Sequence, residues 1–307
     1  MKVLSFLPLL LRGPCLRPAW LSSTLIRATA LELVILAGHA LVYPSGLTPE
    51  RRSPTTRPAL DAAAGKGTRT GTGTRPGADD GITRSADATA LPTTGGDRPP
   101  VVLLHGFIDN RSVFVLLRRS LARHGWHHLE SLNYSPLTCD IRTAAELLGR
   151  HVEEICSRTG HREVDIVGHS LGGLIARYYV QRLGGDRRVR TLVTLGTPHG
   201  GTAAVPLAGA HPIVRQMRSG SELIEELRRP APGCRTRFVS FWSELDRVIL
   251  PVETACVDHP DLDAVNVRVT GIGHLALPVH PAVASAIRQA LESDGADVGA
   301  PGAASVA

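Results

Sequence analysis

The sequence predicts an α/β protein built on a compact, doubly wound, mostly parallel sheet of about six strands. Two observations carry this prediction. Short apolar runs of strand length alternate with longer segments whose apolar residues recur every three or four positions. The alternation also continues without a second run of adjacent strands, the order that builds parallel sheets with helices on both faces.

In chain order, Val101–Leu104 reads as the first strand, and a helix over Ser112–Arg123 follows the capping candidates Asp109 and Asn110. His128–Leu132 is the second strand and Ile141–Ser157 the next helix. Val164–Val167 leads into a helix over Leu171–Leu183, and Arg190–Leu195, Thr236–Trp242 and Val265–Thr270 complete the strands. Right-handed crossovers put every strand's C-terminal end on one edge, where such sheets bind ligands.

These elements occupy residues 99–292, the expected catalytic domain. Residues 44–98 are rich in Pro, Gly, Thr, Arg and Asp with hardly an aliphatic side chain, so they present no face to pack and read as a disordered linker. Residues 293–307 read as a disordered tail. The net charge of +6 is uneven: residues 1–99 hold 12 Lys or Arg against 7 Asp or Glu, whereas residues 100–307 hold 22 against 21. A near-neutral domain behind a basic leader suits an anionic membrane surface and argues against a nucleic-acid partner.

Residues 1–43 form an apolar leader with two stretches, Val3–Leu11 and Leu31–Val42, separated by Arg12, Arg17 and Arg27. The second, widened to Ala28, carries Glu32 and His39 and falls short of the ~20 residues of a bilayer span. Gly38-His39-Ala40 is a loose match to a signal-cleavage site. Signal, anchor and amphipathic helix all stay open, so the expected localisation is secreted or membrane-associated. Of the five cysteines, Cys139 and Cys156 flank an expected helix too long for a disulfide to bridge. Cys234 and Cys256 lie either side of one strand and can pair if the chain doubles back; otherwise they are ordinary thiols.

The chemistry should sit at Gly168-His169-Ser170-Leu171-Gly172-Gly173, a Gly-rich turn between an apolar strand and a helix. This G-x-S-x-G context makes a sharp elbow that lifts a serine above the sheet, so Ser170 is the candidate nucleophile. A serine hydroxyl needs a base, and His274 in Gly271-Ile272-Gly273-His274, just past the last strand, can turn back to it. The orienting acid should follow Thr236–Trp242, which selects Asp246, with Glu244 as fallback. His105 and His169 fall at the same edge without an assigned proton transfer, and His199 reads as loop structure. Two backbone donors should face the developing oxyanion, the N–H of Leu171 and that of Phe107 in the loop after the first strand.

Together, His105-Gly106-Phe107, the Gly168–Gly173 elbow, Gly196-Thr197-Pro198-His199-Gly200-Gly201 and Gly271-Ile272-Gly273-His274 resemble bacterial lipases and esterases of the α/β-hydrolase superfamily. The likeness extends over about Pro100–Pro278 and is nearest to small secreted or membrane-associated triacylglycerol lipases of actinobacteria. It implies the α/β-hydrolase fold, hydrolysis of lipid or small esters through an acyl-enzyme, and no required cofactor. It places nucleophile, acid, base and oxyanion donors on Ser170, Asp246, His274, Leu171 and Phe107.

Thr202–Gly233 is the main excursion, with Ile213, Val214, Met217, Leu223, Ile224 and Leu227 at helical spacing; it reads either as a cap over the site or as a packed crossover. An acyltransferase or amidase on the same triad, and a non-catalytic binding protein, are the competing functions. No H-E-x-x-H pattern suggests a metal.

Overall fold

The computed structural model describes residues 23–47, 98–134, 140–203, 211–293 and 304–306. Six strands, β1 (Val101–Leu104), β2 (Leu129–Leu132), β3 (Val164–His169), β4 (Val189–Leu195), β5 (Arg237–Ser243) and β6 (Asp263–Val269), lie in the order β2-β1-β3-β4-β5-β6. All their pairings are parallel. A three-residue strand, β7 (Ala304–Val306), extends the sheet beyond β6. The predicted parallel α/β sheet is therefore present, each strand beginning or ending within about two residues of its expected bounds. Chain direction across the sheet reverses between β1 and β3, so the loops after these two strands open into a shared cleft at the C-terminal edge.

Strand periodicity explains how the sheet is covered on both faces. In β1, Val102 and Leu104 enter one apolar core with α3 (Ile141–Thr159) and α4 (Leu171–Arg182), while Val101 and Leu103 enter the other with α2 (Val115–Arg123) and α7 (Pro281–Glu292). A strand buried on both sides must be apolar at every position, and this one is. α3 buries Ile141, Ala144, Ala145, Leu148, Val152, Ile155 and Cys156, a single face at three- and four-residue spacing. It starts where the Asp140 carboxylate accepts the Thr143 N–H at 2.7 Å and stops at Gly160, whose φ of 77° no side chain hinders.

Two elements differ from expectation. The helix expected over Ser112–Arg123 begins as a 3-10 turn, Arg111–Phe114, because the Asn110 side chain takes the Ser112 N–H at 2.9 Å and tightens the entry. Asn110 alone is the cap; Asp109 points elsewhere. α7, which the apolar pattern did not single out, opens on Pro281 and packs its Val283, Ile287 and Leu291 under β4.

The excursion after β4 forms α5 (Pro212–Gln216) and α6 (Glu222–Arg228); residues 204–210 lie outside the description. All six apolar residues singled out there are buried in the α3–α4 core. Gln216 accepts the Ile141 N–H at 3.0 Å, and Arg142 pairs with Glu226 at 2.9 Å, so the described part is a packed crossover. Cys156, Cys234 and Cys256 are free thiols, so Cys234 and Cys256 are not bridged; Cys139 lies outside the described residues.

The apolar leader contains α1 (Ser23–Leu47), a 25-residue helix with a window, Ser23–Leu41, long and apolar enough to cross a membrane by length and composition. It is longer than its uninterrupted apolar run because Ser23, Thr24 and Arg27 extend it N-terminally. It belongs to the same compact unit as residues 98–307. Its inward stripe is Leu25, Ala28, Glu32, Ile35 and His39, spaced 3, 4, 3 and 4 residues apart. Ile26, Leu33, Val34, Leu36 and Leu41 face outward. Two polar residues, Glu32 and His39, thus share the inward stripe with Leu25, Ala28 and Ile35, while much of the apolar surface of the helix faces outward.

Candidate active site

Ser170 sits between β3 and α4 with φ 52° and ψ −119°, and among the described residues it is the one non-glycine at positive φ. Such a conformation costs a side-chain-bearing residue about 1–3 kcal/mol and persists because the surroundings dictate it. Those surroundings are glycines at close approach. A Cβ on Gly168 would lie 2.6 Å from the Gly173 nitrogen, and one on Gly172 would lie 2.3 Å from the Leu104 carbonyl oxygen. The turn from strand to helix therefore closes only without those side chains. The Ser170 N–H donates to the Leu195 carbonyl at 2.9 Å, and the Thr197 hydroxyl donates to the Ser170 carbonyl at 3.0 Å.

His274 lies past β6 at the same edge, with Nδ1 2.7 Å from Asp246 Oδ2. Both side chains are buried. The other Asp246 oxygen accepts the Val248 and Ile249 N–H groups at 2.8 Å each, fixing the carboxylate in place. Glu244, the fallback acid, is turned outward and paired with Arg268. Burial disfavours the imidazolium of His274, but the Asp246 carboxylate, with smaller help from Glu32 and Asp109, more than offsets it and raises its pKa above the ordinary histidine value.

The loop after β1 reaches the elbow directly. A Cβ on Gly106 would lie 3.5 Å from the Ser170 Cβ, so Phe107 follows at the rim of the serine. Leu171 is the first residue of α4, one of the leading helix positions whose N–H has no carbonyl within the helix. Leu171 thus follows Ser170 directly, and the Gly106 loop comes to the serine from β1. His105 packs against this loop: its Nδ1 lies 2.9 Å from the Gly106 carbonyl, its ring stacks on Tyr134 with centroids 4.4 Å apart, and the Tyr134 hydroxyl bonds its carbonyl.

The Gly196–Gly201 loop braces the site. Gly196, at φ 55°, leaves room for the imidazole, since a Cβ there would lie 2.9 Å from His274 Nδ1. His199 is buried against the Thr194 hydroxyl at 3.0 Å, and burial followed by the nearby Arg177 charge holds its pKa well below the usual histidine range. It is a neutral structural residue, as its loop position suggested. Arg177, itself buried, ties the His199 carbonyl to the Leu227 carbonyl of α6.

Sequence reasoning missed a second polar group beside the first. Asp109 Oδ2 lies 3.3 Å from His169 Nδ1, and its Oδ1 lies 3.7 Å from His39 Nδ1 on α1. The rings of His169 and His274 have centroids 4.8 Å apart. Burial opposes ionisation of Asp109, yet its contact with His169 and the proximity of His39 outweigh this and lower its pKa. Glu32 of α1 accepts the N–H groups of Leu275 and Ala276 at 2.9 and 3.0 Å. The available signal was the pair of polar residues interrupting an otherwise apolar helix, set seven residues apart.

Residues 100–231 match the family model described as palmitoyl protein thioesterase. A triacylglycerol lipase of Burkholderia plantarii is 30% identical over 132 residues, and one of Pseudarthrobacter phenanthrenivorans is 30% identical over 118. These alignments take in 40% and 36% of this chain and 36% of each relative, so the chain spans about a third of the curated relatives' length. Among solved structures, Bacillus licheniformis lipase BlEst2 in its mature form superposes with a TM-score of 0.55 at 16% identity, over 64% of this chain and 93% of that one. Aspergillus fumigatus lipase B gives 0.58 at 16% identity, over 64% and 53%. The fold is that of the α/β-hydrolases. Over residues 100–231 the chain is thus similar in sequence to esterases and lipases, and it shares their fold. Within that fold, Ser170 follows the strand at the centre of the cleft, and Asp246 and His274 follow the next two strands but one and but two.

Proposed function

We propose that this chain hydrolyses carboxylic esters, lipid esters of the triacylglycerol type among them, through an acyl-enzyme on a Ser170–His274–Asp246 triad. The observation that carries the reading is the buried 2.7 Å contact between His274 and Asp246 at the edge where a strained Ser170 ends β3. In this mechanism neutral His274 takes the Ser170 proton as Oγ attacks the ester carbonyl. Negative charge gathers on the carbonyl oxygen, where the N–H groups of Leu171 and Phe107 stabilise it. The imidazolium, stabilised by Asp246, then gives its proton to the departing alkoxide; water repeats the sequence on the acyl-enzyme and releases the acid. Residues 99–292 form the catalytic domain; the linker expected from residue 44 starts only after Leu47, where α1 ends; and α1 holds the chain at an anionic lipid surface through its outward apolar residues.

Purified full-length chain and its Ser170→Ala variant, assayed on p-nitrophenyl esters of increasing chain length, test the reading. Hydrolysis by the wild type that disappears in the variant supports it. Two folded but inert proteins would overturn it. The name of the matching family model adds a palmitoyl thioester as a second substrate for the same acyl-enzyme, and the same pair of proteins tests that arm.

A further inference from the structure

We propose that Glu32, carried by the N-terminal helix α1, is a positioning residue for His274: its carboxylate clamps the loop that follows the imidazole and sets a negative charge beside it. The inference rests on the triad reading for its catalytic meaning, and on contacts that stand without it. One oxygen of Glu32 accepts the Leu275 N–H at 2.9 Å and the other the Ala276 N–H at 3.0 Å. Two charge-assisted hydrogen bonds to successive amides fix both the place and the direction of that backbone. The carboxylate also lies flat against Gly273, where a Cβ would come within 2.8 Å of its Cδ. Gly273 and Ala276 therefore bracket His274 with residues shaped to admit Glu32. His39, one turn pair further along the same stripe, meets Asp109 and seats the helix at a second point. The two polar residues that interrupt the apolar run of α1 are the two that reach the site.

Around His274 the charged and titratable neighbours are Asp246 from the loop after β5, Glu32 from α1, Asp109 from the loop after β1 and His169 from the end of β3, with His39 of α1 behind Asp109. Glu32 adds to Asp246 in favouring the imidazolium, the form His274 takes during acyl transfer. Its loss has two separable effects: the loop loosens and the imidazole becomes less basic.

The test uses the full-length chain with isotopically labelled histidine, the His274 resonance being assigned through His274→Gln. Glu32→Gln should lower the pH at which His274 titrates and reduce kcat about tenfold with KM little changed. Glu32→Asp, which keeps the charge, should restore the titration. A His274 titration in Glu32→Gln that coincides with wild type overturns the proposal, whatever happens to kcat. Should Glu32→Gln not fold, Glu32→Asp carries the test alone: reduced kcat with an unchanged titration supports the clamp, and unchanged kcat overturns it. The titration needs no substrate, so a wild-type chain inert on every ester would sink the hydrolase reading and leave this one measurable.

Discussion

Asp246 and Glu244 stand two residues apart after the same strand, and their surroundings give them opposite fates. Asp246 is held by two backbone amides with its free oxygen on His274, whereas Glu244 meets Arg268 near solvent. Asp246→Asn should therefore lower kcat by about 10⁴, since the wrong tautomer of His274 is then favoured, while Glu244→Gln leaves it within about twofold because an exposed ion pair contributes little. Steady-state kinetics on one ester decide between them. The pH profile follows from the same contact. On the proposed mechanism His274 acts as a base only when neutral, and Asp246 raises its pKa above the ordinary value, so activity should rise along an acid limb displaced upward from that of a free imidazole. Removing the Asp246 charge should move the limb to lower pH; a limb that stays put would dissociate the pair. Ser170, His274 and Asp246 could be named as candidates from sequence because each has a local context: a Gly-bounded elbow, a loop after the last strand, a strand end. Glu32 was not, because its partners are main-chain amides 243 and 244 positions away, and main-chain donors leave no mark in a sequence.

At the scale of elements, α4 approaches the end of β1 so closely that Gly172 has no space for a methyl group. Gly172→Ala should destabilise the fold by about 1–3 kcal/mol, read as a Tm several degrees lower. An unchanged Tm would mean the elbow relaxes without cost. α6 offers a contrasting case. Leu227 is fully buried beneath Arg177, so Leu227→Ala should cost about 2–5 kcal/mol while the folded fraction keeps its kcat and chain-length preference. A changed preference at constant Tm would instead make that segment a cap. Strands and long helices were readable because burial on one or both faces writes period 2 or 3.6 into the residues. Whether α5 and α6 cover the site or pack on the sheet was not readable, since either location demands the same apolar stripe.

For the whole molecule, α1 joins an exposed apolar surface to the edge that carries the candidate site. Leu33 and Val34 are 62% and 69% exposed, and Ile108 and Leu116 are exposed in the loop and helix that follow β1. Full-length protein should co-sediment with vesicles containing phosphatidylglycerol, and Leu33→Glu with Val34→Glu should abolish this while leaving hydrolysis of a soluble short-chain ester intact. Equal binding by both proteins would assign the attachment to other residues.

Because the partners of Glu32, Leu275 and Ala276, lie 243 and 244 positions further along the chain, α1 is synthesised well before the loop that it clamps. At ribosomal rates of about 5–20 residues per second the delay is roughly 12–50 s. Throughout that interval the Glu32 carboxylate has emerged without its partners, whereas Asp109, the neighbour of His39, follows that imidazole by only 70 positions. On the proposed mechanism, ester cleavage is thereby withheld from the nascent chain until the loop after β6 closes back on α1, whereas the proposed attachment to lipid can precede it.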